Sequence, residues 1–351
     1  MKIAITGGAG FIGSHLARAY LDAGHDVLVI DTLVNGSRSA IDARARFYQI
    51  DIRDGKLQKL LQQERPDILS HHALQREHAA LALEELSMAD ADVHVRGLLN
   101  VLDSCVGASV AKIIFASGGN SLYNQLDPVR VAHAEDHQAP LADSPGLVPI
   151  KEDAPLCPQR PYDISKVAGE WYVRYYTRQY GLAHTILRYA DVYGGPSGGP
   201  ESHFAQHPLN YFVHMLLEGQ RPTIRGAADE VRDHIYIDDV ISANICSLER
   251  GKNQTLHISS GQGYTLKDLY AAVAQALESQ VEPVFISNSL VEAVSCVLDN
   301  TLARHILGWR PSIDLTTGVQ RTIVGAAPAA QLIAPSGTAP DAPRPLLVGA
   351  R

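Results

Sequence analysis

Residues 2 to 31 read KIAITGGAGFIGSHLARAYLDAGHDVLVID, and the order of residue types along this stretch decides the fold. KIAIT, Lys2 to Thr6, is short, apolar and β-branched, as a buried strand requires. Glycines then open the helical run SHLARAYLDAGH, which stops at Gly24, and DVLVID makes a second buried strand. Gly7, Gly10 and Gly13 fall at the junction of the first strand and the first helix. Glycines there let the backbone turn tightly and approach a pyrophosphate, whose charge meets the helix N-terminus. A glycine triplet alone is weak evidence, but this one has the strand-turn-helix context, and Asp31 ends the next strand, placed to accept hydrogen bonds from an adenosine ribose. An acid at that position repels a 2'-phosphate and the next basic residue is Arg38, so NAD is favoured over NADP.

Outward from this unit the alternation continues. RFYQID (46 to 51) reads as a third strand, KLQKLLQQE as an amphipathic helix and DILSHHA as a fourth strand. A helical region near 79 to 104 follows, then the strand KIIFAS, a helix from about Tyr162 to Tyr180 and the strand HTILRYA. Strands alternating with helices imply right-handed crossovers, so the expected fold is α/β, a Rossmann-type doubly wound parallel sheet. After Asp191 the chain turns to Gly, Pro and His with broken periodicity, which suits a smaller C-terminal α/β lobe that binds substrate. The expected division is an NAD-binding domain over 1–190, a substrate lobe over 191–325 with some segments returning to the sheet, and a disordered Pro/Ala-rich tail over 326–351. Residues 124–148 read as an insertion, either a lid or a solvated loop. Asp51 and Ile52 end the third strand, where an adenine edge can bind.

A chain of 351 residues with 46% hydrophobic composition buries a substantial core. A net charge of -8 without any Lys/Arg-rich run argues against nucleic acid as a partner. The N-terminus enters a strand directly, no stretch is long enough to span a membrane, and Cys105, Cys157, Cys246 and Cys296 are widely spaced, so a cytoplasmic protein with free thiols is expected. His71, His72 and His78 lack a carboxylate or cysteine to complete a ligand set, so no metal is expected.

In PYDISKVAGE, Tyr162 and Lys166 stand four residues apart on one helix face. A phenol with a pKa near about 10 is a poor base at neutral pH, and a neighbouring ammonium corrects this. Together with TGGAGFIG, Asp31, RYADVYG and VRDHIYIDD, this pair resembles the extended short-chain dehydrogenase/reductase family over roughly residues 1 to 320, and within it the NAD-dependent epimerases and dehydratases of the UDP-galactose 4-epimerase type. The resemblance implies NAD contacts from Gly7, Gly10, Phe11, Ile12, Gly13, Asp31, Asp51, Ile52, Ala73, Gln75, Tyr162, Lys166 and Tyr189, and a substrate side that includes Ser121, Asp191 and Arg232. It also implies that a sugar carbon yields hydride to NAD while Tyr162 takes the hydroxyl proton, giving a keto-sugar whose hydride returns to the other face.

Four departures from the family pattern follow. Relatives carry Ser or Thr four or five residues before the tyrosine of a V-Y-G-like triplet; here those positions are Gly119 and Gly118, which leaves Ser117, favoured over Ser121, as the third catalytic member. The usual Asn-Val-x-Gly reads His94-Val95-Arg96-Gly97, and N-V-Y-G reads Asp191-Val192-Tyr193-Gly194, putting a carboxylate where it repels a diphosphate. A nucleotide-binding arginine is replaced within Ser289-Leu290-Val291-Glu292, while Arg232 is kept. Asn120-Ser121 stands where dehydratases need Asp-Glu, which disfavours dehydration. Trp171, Tyr172, Tyr175 and Tyr176 make an aromatic stripe suited to a core or a helix interface, and relatives dimerise through this helix, so a homodimer is expected. Asp238-Asp239 is read as a helix cap. The expected function is a nucleotide-sugar 4-epimerase; the alternatives are a sugar or polyol dehydrogenase and a non-catalytic NAD sensor.

Overall fold

A computed structural model describes residues 1–74, 83–123, 147–195, 207–225, 228–286 and 295–333. Strands β1 (Lys2–Thr6), β2 (Asp26–Asp31), β3 (Arg46–Gln49), β4 (Ile68–His71), β5 (Lys112–Gly118) and β6 (Ala183–Tyr189) are joined by helices α1 (Phe11–Asp22), α2 (Lys56–Glu64), α3 (Leu83–Ala91), α4 (Leu98–Gly107) and α5 (Pro161–Tyr180). Between α3 and α4 the chain runs through a wide π-type turn, Asp92–Gly97. The remaining strands are β7 (Asp191–Tyr193), β8 (Thr223–Arg225), β9 (Arg232–Tyr236), β10 (Gln254–Ile258), β11 (Gly263–Tyr264) and β12 (Val284–Ile286).

Seven strands form one sheet in the order β10-β6-β5-β4-β1-β2-β3, every pair parallel. From β1 the chain winds one way to β2 and β3 and the other way to β4, β5 and β6, so the order reverses at the β1/β4 boundary, where a crevice opens beyond the strand ends. Alternate residues along β1 serve opposite layers: Ile3 and Ile5 pack with Leu16, Ala17 and Tyr20 of α1, whereas Ala4 lies with Leu28, Leu61 and Leu102 on the other face. Strands buried on both faces are near-continuous apolar runs, which is why KIAIT and DVLVID are legible without alternation.

The smaller lobe has a three-stranded sheet, β11-β9-β7, and the pair β12-β8. Helices α6 (Pro208–Leu217), α7 (Ile237–Glu249), α8 (Leu266–Ala276), α9 (Thr301–Leu307) and α10 (Leu315–Ile333) complete the described chain. Tyr193, Phe212, Tyr236, Leu269 and Val319 form the centre of the lobe core. Strand β10 pairs with β6 at the edge of the main sheet, so the chain after residue 190 contributes to both bodies.

Two expectations are corrected. The tail does not lose structure at Ala326: α10 continues to Ile333, because Ala326 is buried in the lobe core and the alanines that follow favour helix. Asp238 and Asp239 do not cap α7, whose N-cap is Tyr236. Asp239 instead accepts hydrogen bonds from the Ser312 and Ile313 amides (2.9 and 3.1 Å), and Asp238 pairs with Arg321. Residues 124–146 and 334–351, the greater part of the insertion and the tail, lie outside the described residues. Among the described residues, no helix is long and apolar enough to cross a membrane.

Candidate active site

The crevice at the reversal point is lined by Gly7, Gly10, Phe11, Ile12, Gly13, Asp31, Asp51, Ile52, Ala73, Ser117, Tyr162, Lys166 and Tyr189. Gly7 has φ 71°, and a Cβ there would lie 2.6 Å from the backbone of His72 and Ala73. A Cβ on Gly13 would lie 2.2 Å from the Gly7 carbonyl, so α1 can approach β1 this closely only with glycine. Gly10 is the N-cap of α1 and supplies no side-chain cap, which leaves first-turn amides for an anion. Asp31 Oδ2 accepts from the Ala9 amide at 3.0 Å and Oδ1 from the Leu33 amide at 2.8 Å, which fixes the carboxylate at the crevice. Arg38, the nearest basic candidate for a 2'-phosphate, is spent elsewhere: its guanidinium lies 4.2 Å above the Phe47 ring.

Sequence reasoning missed part of this wall. Arg53 makes a two-point contact with Asp51 (2.9 and 2.6 Å) and reaches Asp92 at 2.5 Å, tying the β3 end to the turn before α4. Thr32, Asn35, Gly36, His72 and Leu74 also line the crevice. Gly36 gives the one local signal, since a Cβ there would lie 2.8 Å from Ala9. Gln75 and His78 lie outside the described residues. His71 Nδ1 meets the Thr6 hydroxyl at 2.7 Å and His72 Nε2 meets the Ser70 hydroxyl at 2.9 Å, which gives both imidazoles a structural partner.

Pro161 at the first position of α5 sets φ for the helix and brings Tyr162 to the crevice in its first turn. Lys166, one turn on, is buried; its Nζ donates to the Ala116 carbonyl at 2.9 Å and lies 5.5 Å from the centre of the Tyr162 ring. Burial pulls the Lys166 ammonium down to about 8, against the opposing charges of Asp90 and Glu170. Ser117, next to the end of β5, lines the crevice, but its hydroxyl donates to Glu170 Oε1 at 2.8 Å. Glu170 is fully buried and pairs with Arg188, whose Nε and Nη2 each stand 2.8 Å from its oxygens, and with Arg174 at 3.0 Å. A Cβ at Gly119 would lie 2.2 Å from the Tyr189 carbonyl, so this backbone has no room for a hydroxyl-bearing side chain there. At Gly118 the nearest atoms are Ser121 Oγ at 3.2 Å and Leu122 at 3.3 Å.

The other substrate-side candidates stand beyond the crevice wall. Asp191 on β7 faces His234 on β9 in register, and its carboxylate is 3.6 Å from Arg232, which also binds Glu230 at 2.7 Å. Ser121 lies in the short turn Asn120–Tyr123, and the buried Asn120 amide donates to the Asp233 carbonyl at 2.8 Å. The 289–292 stretch lies outside the described residues.

Residues 3–259 match the model of the NAD dependent epimerase/dehydratase family. The chain belongs to that family. It is 31% identical over 324 residues to a putative UDP-glucose 4-epimerase of Methanocaldococcus jannaschii, covering 92% of this chain and 97% of that one. Among solved structures it resembles the UDP-glucose 4-epimerase of Thermotoga maritima with UDP-glucose, at TM-score 0.80 and 31% identity over 93% of this chain and 98% of the other. A second neighbour, the Thermus thermophilus UDP-glucose 4-epimerase in complex with NAD, gives TM-score 0.78 and 29% identity over 93% and 98%. As a member of this epimerase/dehydratase family the chain is an NAD-dependent enzyme, and the glycine cradle with Asp31 at its rim fits that cofactor.

Proposed function

We propose that this enzyme is a 4-epimerase of nucleotide sugars, with Tyr162 as the proton acceptor and donor at the sugar 4-hydroxyl. One observation carries the reading: Tyr162 and Lys166 line the same crevice as Gly7, Gly10, Gly13 and Asp31, so a phenol tuned by an ammonium meets the nicotinamide end of a dinucleotide cleft. The relatives named for UDP-glucose support a UDP-sugar as substrate. Bound NAD supplies a hydride acceptor that becomes the donor on return. The protein's part is to hold and move one proton. The Tyr162 phenolate accepts it as the sugar carbon is oxidised, the Lys166 ammonium stabilises the phenolate, and the same proton returns to the alkoxide formed on the opposite face.

Ser117 is the third member in this reading; to bond the reacting oxygen its hydroxyl must leave Glu170 Oε1. Arg232 serves the diphosphate once Asp191 releases its Nη1, while Glu230 keeps hold of Nε. Trp171, Tyr172 and Tyr175 on α5 and Met88 on α3 are exposed, which supports a homodimer through these helices, and a cytoplasmic location suits the free thiols.

The test is incubation of protein and NAD with UDP-, dTDP-, GDP- and CDP-sugars, following stereochemistry at C4 by NMR. Interconversion of C4 epimers without net NADH is the expected outcome. NADH accumulation with one substrate would replace the reading with a dehydrogenase.

A further inference from the structure

His94 stands in the wide turn Asp92–Gly97, and such turns recur at functional sites. It is 3% exposed. Its Nε2 lies 3.6 Å from the carboxylate of Asp90, one turn back on α3 and 4% exposed. Its ring meets the Tyr162 ring edge to face, with centroids 5.2 Å apart and planes at 84°. Asp90, His94, Tyr162 and Lys166 therefore form one row that joins α3, the turn and α5.

Among the described residues, Asp90 from α3, Tyr162 from α5 and His71 from β4 face His94, while Lys166 faces Tyr162 and feels the charge of Asp90. His71 carries no competing charge, because burial and then the Lys166 ammonium hold its imidazole well below the ordinary value while it bonds Thr6. An asparagine at 94 fills similar space without charge. A buried carboxylate needs a compensating group, and the contact sets the His94 imidazole beside that of Asp90. The Lys166 ammonium is weakened by its own burial, which leaves room for a second cation to act on the phenol.

We propose that His94, held by Asp90, is a positioning residue of the active site: it fixes the Tyr162 ring and keeps a positive charge beside its phenol, sharing with Lys166 the stabilisation of the phenolate. The proposal rests on Tyr162 being the catalytic base, but its test does not require the sugar to be known.

The tyrosinate absorbance of Tyr162 is titrated with NAD bound, as the difference between each protein and the same protein carrying Tyr162→Phe. In His94→Asn the midpoint is expected to rise by about one pH unit, and Asp90→Asn moves it in the same direction. Asp90→Glu keeps it within roughly a third of a unit of the parent. Where a substrate is turned over, the acid limb of kcat against pH moves with the midpoint. An unchanged midpoint in folded His94→Asn protein overturns the proposal, even if activity falls. Should that variant fail to fold, an unchanged midpoint in Asp90→Asn overturns it equally. Failure to epimerise any sugar, with the midpoint shifted, removes the epimerase reading and leaves this one standing.

Discussion

The two sides of the cleft are built differently. On the cofactor side the critical contacts are backbone to backbone: Gly13 against Gly7, Gly7 against His72 and Ala73, Gly36 against Ala9. On the substrate side they are side chains drawn from distant segments, Ser117 on Glu170, Glu170 on Arg188, and Arg232 between Asp191 and Glu230. A site made of close backbone approaches tolerates only glycine and keeps its sequence signature. A site made of ion pairs can exchange partners while the fold persists.

Tyr162 sits where the two sides meet, and its removal should have the largest effect. Tyr162→Phe is expected to lower kcat by about 100- to 10,000-fold while the affinity for NAD, measured by calorimetry, changes little. Equal losses in both would mean that the phenol belongs to the cofactor side, and the contrast would fail at its centre.

The Glu170–Arg188 pair tests the claim that the substrate side rests on buried charge. Glu170→Gln leaves the Arg188 guanidinium without its carboxylate, at a cost of roughly 3–5 kcal/mol in urea unfolding. Burial pushes the Glu170 carboxyl up, but the hydrogen bonds and charge of Arg188 outweigh it, with help from Arg174 and Ser117, and the net direction is down. A carboxyl depressed in the folded state contributes stability that is present above its unfolded pKa of about 4.3 and lost as the pH falls through the folded value. Acid unfolding of the parent should therefore be steeper below about pH 4 than that of Glu170→Gln.

How much of this was legible follows the same division. Gly7, Gly10, Gly13 and Asp31 were readable because a strand, a turn and a helix follow one another without a break, and Tyr162 and Lys166 because four residues make one helical turn. The commitment of Ser117 was not readable: its partner Glu170 lies 53 residues away and becomes a neighbour only when α5 packs on β5, while Arg188 reaches the same carboxylate from β6. Arg53 was missed because its role depends on the turn at Asp92, and the helix after Ala326 because its anchor is tertiary.

Gly118 and Gly119 offer a smaller contrast between neighbours. Gly119→Ser places a Cβ 2.2 Å from the Tyr189 carbonyl, and a loss of roughly 1–3 kcal/mol in thermal or urea unfolding is expected. Gly118→Ser meets Ser121 Oγ and the buried Leu122 at 3.2 and 3.3 Å, a milder crowding, so its cost should lie at the low end of that range, about 1 kcal/mol. If the family's hydroxyl is what this cleft lacks, that variant raises kcat. If kcat is unchanged, Ser117 or another donor already serves.

Asp191→Asn should have the smallest effect and is the most direct test of the substrate side. The carboxylate is 3.6 Å from Arg232, and each side chain retains about a third of its exposure, 33% and 31%, so water screens the pair. An exposed pair contributes at most about 1 kcal/mol, and a negative charge beside a diphosphate costs about as much, so the substitution should lower KM for a UDP-sugar by no more than about fivefold and leave kcat nearly unchanged. Glu230 still holds Arg232 at 2.7 Å, which keeps the guanidinium in place when Asp191 loses its charge. The gain in KM should shrink as salt is raised, since screening already removes part of the repulsion. A KM that does not move at low salt would mean that the phosphates bind away from Arg232; the substrate side would then have changed its site for the anion, and not merely the partners of one arginine.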